Sequence, residues 1–300
     1  MPKTLAVVVT YNRKKLLEEC LSSLKNQTEK ELDILVVDNA STDGTRDYLE
    51  AINDEKISCV FLSENTGGAG GFSAGIREGV LRGYENLWLM DDDTVPQTDA
   101  LEELLKADKN LNGKYGFLSS LALFTDGSPC VMNNHLLPSK ITSDSVRAIG
   151  GEIYFEVLTA TFVSLFIKSG IVKQYGLPIK EMFIWSDDTE YTSRITKGDK
   201  GYFVPQSKVL HKMEKNQSPA LESLPPDRLE RMTLNIRNRY YIARRDGFKK
   251  KMRFYARHAI LFFRVLFKAK DKKFKRIAVI FKGIFKGWTF RPKTEYVDKI

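Results

Sequence analysis

Three consecutive aspartates, Asp91-Asp92-Asp93, follow the short apolar run Leu87-Trp88-Leu89-Met90 and precede Thr94-Val95-Pro96, a turn signal. An apolar run of that length between turn signals reads as a buried strand. Carboxylates at its end repel one another and gain nothing from a core, which favours a cation beside them; hard divalent ions take oxygen ligands. The alternative is that one aspartate caps a following helix, a role open to Thr98 or Asp99, while the others are solvated. A second acidic cluster, Asp187-Asp188-Thr189-Glu190, follows Phe183-Ile184-Trp185-Ser186. Ser186 or Asp187 as N-cap, with acids in the first turn, accounts for the carboxylates through the helix dipole. It does not account for the aromatic residues before them. His211 closes a short apolar stretch, where an ordinary strand-end histidine and a metal ligand both fit. His135 and His258 have less suggestive surroundings.

The elements that would position these groups are legible from periodicity. Residues 5–9 form a β-rich apolar run ending at Thr10-Tyr11-Asn12-Arg13, and Leu16, Leu17, Cys20, Leu21 and Leu24 then recur at helical spacing. A second apolar run, 34–37, stops at Asp38-Asn39, and a helix follows through Leu49 with Ser41 or Thr42 as cap. Residues 57–62 form a third strand and Trp88 lies on the fourth. This alternation indicates βαβ units and a parallel sheet, whose ligands bind beyond the carboxyl ends of the strands. Thr10-Tyr11, Asp38-Asn39 and Asp91–Asp93 all fall at those ends. Between strands three and four, Asn65-Thr66-Gly67-Gly68-Ala69-Gly70-Gly71 either lets a helix over 70–82 pack closely or offers N–H groups to phosphate.

Beyond residue 115 the pattern is less regular. Residues 116–124 read as a strand and 125–150, rich in Ser, Pro, Asn and Gly, as an irregular insertion. Strands are expected over 152–157, 158–167, 201–204 and 208–211, with a helix carrying Arg194 between the second and third.

Composition permits a sizeable core, with 42% hydrophobic residues, and no apolar run approaches the roughly 18 residues of a spanning helix. Met1-Pro2-Lys3-Thr4 leads straight into a strand pattern, so no signal peptide is expected. Cys20, Cys59 and Cys130 lack metal-type spacing and read as reduced core thiols of a cytoplasmic protein. Charge is unevenly spread: residues 249–300 hold 17 Lys and Arg against 3 Asp and Glu, leaving 30 against 35 elsewhere. Two amphipathic helices are expected there, over 252–268 and 272–288. In the second, Phe274, Ile277, Ile280, Phe281, Ile284, Phe285 and Trp288 share a face, with Lys275, Arg276, Lys282 and Lys286 largely opposite. Helices rich in Phe, Ile and Lys suit the surface of an anionic membrane leaflet. The same pattern fits a helical hairpin packed on the body or on a second subunit. Nucleic-acid binding is not expected, because the aromatics lie on the apolar face rather than among the basic groups.

Val7-Val8-Val9-Thr10-Tyr11-Asn12-Arg13, Val36-Val37-Asp38-Asn39-Ala40-Ser41-Thr42-Asp43-Gly44-Thr45 and the aspartate triplet together resemble the inverting family 2 glycosyltransferases over residues 1–110. Asn65–Phe72, Trp185-Ser186-Asp187-Asp188-Thr189-Glu190-Tyr191, His211-Lys212-Met213 and Ile236-Arg237-Asn238-Arg239-Tyr240 resemble the galactofuranosyltransferase and rhamnosyltransferase branch. The resemblance implies an α/β GT-A domain over 1–247, with 248–300 as a basic helical tail. It implies a nucleotide-sugar donor held by Thr10, Tyr11, Arg13, Asp38, Asn65, Gly67, Asp91 and Asp92. A divalent metal, Mn²⁺ or Mg²⁺, would be held by Asp93 and His211. Asp188 would be the catalytic base, with Trp185 and Asp187 on the acceptor side. The activity implied is transfer of galactofuranose from UDP-galactofuranose to a lipid-linked glycan in bacterial surface polysaccharide synthesis, on the inner face of the cell membrane. Rhamnose transfer from dTDP-rhamnose is the alternative. A non-catalytic nucleotide-binding or scaffold protein on the same fold is the reading from another class. A homo-oligomer is compatible with the sequence.

Overall fold

The sheet is built around β1 (Thr4–Thr10), whose seven residues are all buried. In the computed structural model, which describes residues 3–142 and 145–297, β1 lies between β2 (Leu32–Asp38) and β4 (Asn86–Asp91), parallel to both. β3 (Ile57–Phe61) extends the parallel set on the outer side of β2. Helices α1 (Lys14–Lys25), α2 (Thr45–Glu50) and α3 (Gly67–Leu81) supply the crossovers. Strands buried on both faces read as continuous apolar runs, which is why β1, β2 and β4 were evident in the sequence; β3, at the sheet edge, is half-buried.

α3 begins at Gly67, three residues before the expected start. Its glycines recur every fourth residue on the face that meets the sheet. A Cβ at Gly71 would sit 2.5 Å from Val9 Cγ1, and one at Gly75 would sit 2.4 Å from Val7 Cγ1. The glycine run thus lets the helix axis approach β1, as the packing alternative anticipated.

The second half of the sheet departs from expectation in three places. Residues 158–164 are not strand; only β9 (Leu165–Lys168) is, and it runs antiparallel between β4 and β6 (Phe117–Leu123). The preceding loop is tied instead to the insertion, through Leu158 N–H to the Leu136 carbonyl at 2.7 Å. The two short strands expected over 201–211 are one, β10 (Gly201–His211), with a register shift between Val204 and Lys208. Pro205, which has no N–H to donate, falls within that irregularity. The insertion contributes β7 (Val146–Ile149), paired as a hairpin with β8 (Glu152–Val157). β5 (Thr94–Pro96) pairs with the end of β10, and α4 (Ala100–Asn110), α5 (Ser169–Tyr175) and α6 (Asp187–Ile195) complete the layers over the sheet.

The C-terminal helices α7 (Leu229–Arg245), α8 (Phe248–Lys268) and α9 (Lys273–Thr289) share one apolar core, which begins at Leu221. A boundary at 247/248 follows the onset of basic charge but divides this core. α9 crosses α7 at two glycines: a Cβ on Gly283 would lie 2.7 Å from Ile236 Cβ, and one on Gly287 would lie 2.8 Å from the Tyr240 ring. Arg276, expected on the polar face, is only 2% exposed. Its guanidinium donates to the carbonyls of Leu221 and Leu224 and pairs with Asp271 at 2.6 Å. That satisfies backbone groups a nonpolar side chain would leave unpaired. Phe274, Phe281, Phe285 and Trp288 remain at least half exposed.

Candidate active site

Parallel pairing sets the three polar strand ends side by side. Thr10 is in register with Asp38 across β1 and β2, and Val9 with Asp91 across β1 and β4. Asp92 ties the edge together, since its Oδ2 accepts from Thr10 Oγ1 at 2.8 Å and from Tyr11 N–H at 3.4 Å. Arg13 Nη1 reaches Asp92 Oδ1 at 3.2 Å and Asp93 Oδ2 at 2.6 Å. The Tyr11 side chain stays 41% exposed beside this cluster. Asp38 is buried and accepts the Ser41 N–H at 3.1 Å.

The electrostatics are those of crowded acids. Burial, then the charges of Asp93 and Asp92, push the Asp91 carboxyl up to about 8. Burial raises Asp92 to about 6 against the opposing field of Arg13. Asp93 behaves differently. Burial works against its charge, but the adjacent Arg13 cation helps hold its carboxyl below the ordinary range. Burial also disfavours the Arg13 cation, yet the three aspartates raise it overall.

Backbone pairing brings His211 to Asp93 from across the sheet. His211 is opposite Thr94 in the β10–β5 ladder, and Lys212 N–H donates to the Asp93 carbonyl at 2.8 Å. His211 Nε2 then lies 3.3 Å from Asp93 Oδ1, a buried oxygen with no hydrogen-bond partner. The other ring nitrogen, Nδ1, is 2.9 Å from Asn133 Oδ1, while Asn133 Nδ2 donates to Thr161 Oγ1 at 2.8 Å. With the Asn133 amide so oriented, Nδ1 carries the proton and Nε2 presents a lone pair toward Asp93. An orphaned carboxylate oxygen beside an imidazole lone pair suits a divalent cation. Among the described residues no three His, Cys, Asp or Glu side chains converge to hold a metal by themselves. Two protein ligands leave positions for the oxygens of a bound diphosphate. Asn133 lies in the irregular insertion, where nothing in the sequence distinguished it from the neighbouring asparagine.

The loop Asn65–Gly67, expected from the sequence to hold the donor and hence the donor loop, connects this edge to the second acidic cluster. Asn39 accepts the Thr66 N–H at 2.8 Å and donates to the Gly67 carbonyl at 2.9 Å. Asn65 Oδ1 accepts the Gly67 N–H at 2.8 Å. Gly67 has φ +71°, and a Cβ there would lie 2.0 Å from the Phe183 carbonyl oxygen. Ala69 N–H donates to that same oxygen at 3.1 Å.

Residues 183–186 are strained. Phe183 has φ 65° and ψ −63°, with Ile184 N–H closing a γ-turn onto the Met182 carbonyl at 2.8 Å. Trp185 and Ser186 follow at φ 63° and 66°. Seven described non-glycine residues have positive φ, and five of them (Asn12, Ala40, Phe183, Trp185 and Ser186) adjoin the acidic clusters or the donor loop. Such conformations cost about 1–3 kcal/mol each and concentrate where position matters. The segment delivers Asp187, buried, and Asp188, half-buried, into the first turn of α6. Burial, then the charge of Asp188, pushes Asp187 up to about 8, and burial also raises Asp188. Glu190, one turn on, is fully buried and held by Arg194 and by Arg245 of α7. The sequence marked Glu190 only as a first-turn acid.

Because burial and its neighbours favour a proton on Asp91 that a nearby cation would expel, Mn²⁺ affinity in the presence of UDP is expected to rise from pH 5 to pH 8. The slope approaches about tenfold per pH unit where one proton is released. Calorimetric titration of Mn²⁺ across that range tests this, and a flat profile would contradict it.

Residues 5–115 match the sequence family Glycosyl transferase family 2. Galactofuranosyltransferase GlfT1 of Mycolicibacterium smegmatis is 27% identical over 211 residues, 64% of this chain and 65% of the relative, so just under two thirds of its length. The dTDP-rhamnosyl transferase RfbF of Shigella flexneri is 25% identical over 248 residues, 80% of each chain. Among solved structures, the mannosyltransferase PcManGT from Pyrobaculum calidifontis, in complex with GDP-Man and Mn²⁺, superposes with a TM-score of 0.56 at 17% identity. That match covers 97% of this chain and 76% of that one. Residues 5–115 thus carry a Glycosyl transferase family 2 domain, and the parallel strands that end in Thr10, Asp38 and Asp91 belong to a fold of the GT-A type.

Proposed function

We propose that this chain transfers a sugar, galactofuranose from UDP-galactofuranose, to a growing lipid-linked glycan of a bacterial surface polysaccharide, with inversion at the anomeric carbon. The reading rests most on one observation: the partnerless Asp93 Oδ1 faces His211 Nε2 at a strand-end edge whose donor loop contacts the segment carrying Asp188. Exposed Tyr11 offers a ring for the nucleobase, and buried Asp38 and half-buried Asp91 offer acceptors for ribose hydroxyls. Arg13 and the Asn65–Gly67 loop face the diphosphate. Asp93 and His211 would hold a divalent cation that, when bound, offsets the charge growing on the leaving diphosphate. Asp188 takes the proton of the acceptor hydroxyl as that oxygen bonds to the anomeric carbon. The carbon–oxygen bond to the diphosphate breaks, and the nucleotide leaves with the bonding pair. Burial of Asp187 and Asp188 raises both carboxyls toward the range a general base needs. Trp185, half-buried ahead of them, offers a face to the acceptor sugar.

Galactofuranose follows from likeness to the mycobacterial enzyme. Rhamnose from dTDP-rhamnose is the second reading, favoured by the 80% coverage of the Shigella relative. Replacing Asp188 with Asn is expected to lower transfer by about 10²–10⁴-fold with UDP binding retained. Assays with UDP-galactofuranose and dTDP-rhamnose, with Mn²⁺ or Mg²⁺, measure this; unchanged turnover on the better donor would refute the assignment.

The lipid-linked acceptor is approached from an inner membrane leaflet by α8 and α9. No helix among the described residues is long and apolar enough to cross a membrane. Phe263, Phe267, Phe274, Phe281, Phe285 and Trp288 are each half exposed or more, along helices dense in lysine. Rings open to water gain by entering the headgroup region, and each lysine near an anionic surface adds about 1 kcal/mol. A Phe274→Ser, Phe281→Ser, Phe285→Ser triple variant should fold normally yet lose cosedimentation with phosphatidylglycerol vesicles. Undiminished binding would remove the membrane assignment.

A further inference from the structure

We infer that Asn238, on α7, is a positioning residue for the catalytic carboxylate: its buried side-chain amide templates the strained backbone that aims Asp188. The inference rests on the proposed role of Asp188 and adds a residue that does not itself touch substrate. Asn238 is fully buried. Its Nδ2 lies 2.9 Å from the Met182 carbonyl, 3.2 Å from that of Ile184 and 2.8 Å from that of Trp185. Three carbonyl oxygens converging on one point repel one another, and a donor with two hydrogens relieves them. Carbonyls cannot donate, so the amide orientation is fixed by chemistry. Its Oδ1 faces away and accepts from Arg237 Nε at 3.0 Å.

The rest of that helix face reinforces the contact. Asn235, three residues earlier and so on the same side, accepts from Ser186 Oγ at 3.1 Å. Arg237 Nη2 donates to the carbonyls of Glu181 at 2.7 Å and Met182 at 3.0 Å. From the opposite side, Ala69 N–H at the start of α3 holds the Phe183 carbonyl. The γ-turn at Phe183 and the left-handed Trp185 and Ser186 are therefore gripped between the donor loop and α7. α7 is docked independently, through Gly283 and Gly287 of α9 and through Arg245 to Glu190. Loss of the amide should thus release the segment without undocking the helix.

Asn238→Leu keeps approximate shape and removes the donors; Asn238→Asp keeps size and sets a carboxylate against three carbonyls. Both are expected to lower kcat by about 100-fold, the scale of a 1 Å misplacement, with the Kd for UDP within about threefold of wild type. Adding Ser186→Gly to Asn238→Leu should recover about tenfold, because glycine holds positive φ without support. Hydrogen exchange of amides 184–189 should accelerate in Asn238→Leu while β1 and β4 stay protected. Unchanged kcat, joint loss of UDP binding and turnover without glycine rescue, or unaltered exchange would each overturn the inference. If the wild-type chain transfers no sugar from any nucleotide donor, the proposed function fails, and the exchange measurement alone decides the templating role.

Discussion

Carboxylates crowded at the end of a buried strand repel one another, and the surroundings of Asp91, Asp92 and Asp93 answer that repulsion in different ways. Asp92 is neutralised inside the protein by Thr10, the Tyr11 N–H and Arg13, and so fastens the β1 turn to β4. Asp91 meets the problem by protonation, with a carboxyl raised by burial and by its neighbours. Asp93 keeps its charge by facing Arg13 with one oxygen, while its other oxygen lies opposite His211 Nε2 without a hydrogen-bond partner. A cation and a diphosphate together complete such an edge, since one supplies the missing positive charge and the other its remaining ligands. The sheet, the β5–β10 ladder and the Asn133 bridge all serve to hold this arrangement.

The second acidic cluster is held by different means. Its carboxylates are aimed by backbone in sparsely populated conformations rather than by regular pairing, and neighbouring elements must over-determine it. One neighbour is the donor loop and the other is α7, so the helical C-terminal core is joined to the chemistry. The same core presents the aromatic rings of α8 and α9 to the outside.

Half of this was legible in the sequence, for a physical reason. Strands buried on both faces must be apolar throughout and must end in turns, so Thr10, Asp38 and Asp91–Asp93 could be set at one edge from pattern alone. The Asp187-Asp188 pair was visible as a helix start. What periodicity cannot carry is partnership across the fold. Nothing local marks Asn133 as the partner of His211, or Asn238 as the donor to three carbonyls 53 to 56 residues away. Arg276 misled because a helical wheel records charge and not the buried carbonyls of Leu221 and Leu224. Charge likewise changes at 248, while the apolar core of the C-terminal helices begins at Leu221. The run 158–167 is apolar enough for a strand, but its first part is pinned by Leu136 and only its end is free to pair.

The central claim is that the strand-end carboxylates are divided, with Asp93 and His211 reserved for a cation. Anomalous diffraction from crystals grown with UDP and Mn²⁺ tests it directly. A manganese peak bonded to Asp93 Oδ1 and His211 Nε2, with Asp92 still paired to Thr10 and Arg13, is the result the account predicts. A peak coordinated by Asp91 or Asp92, with His211 turned away, would contradict it.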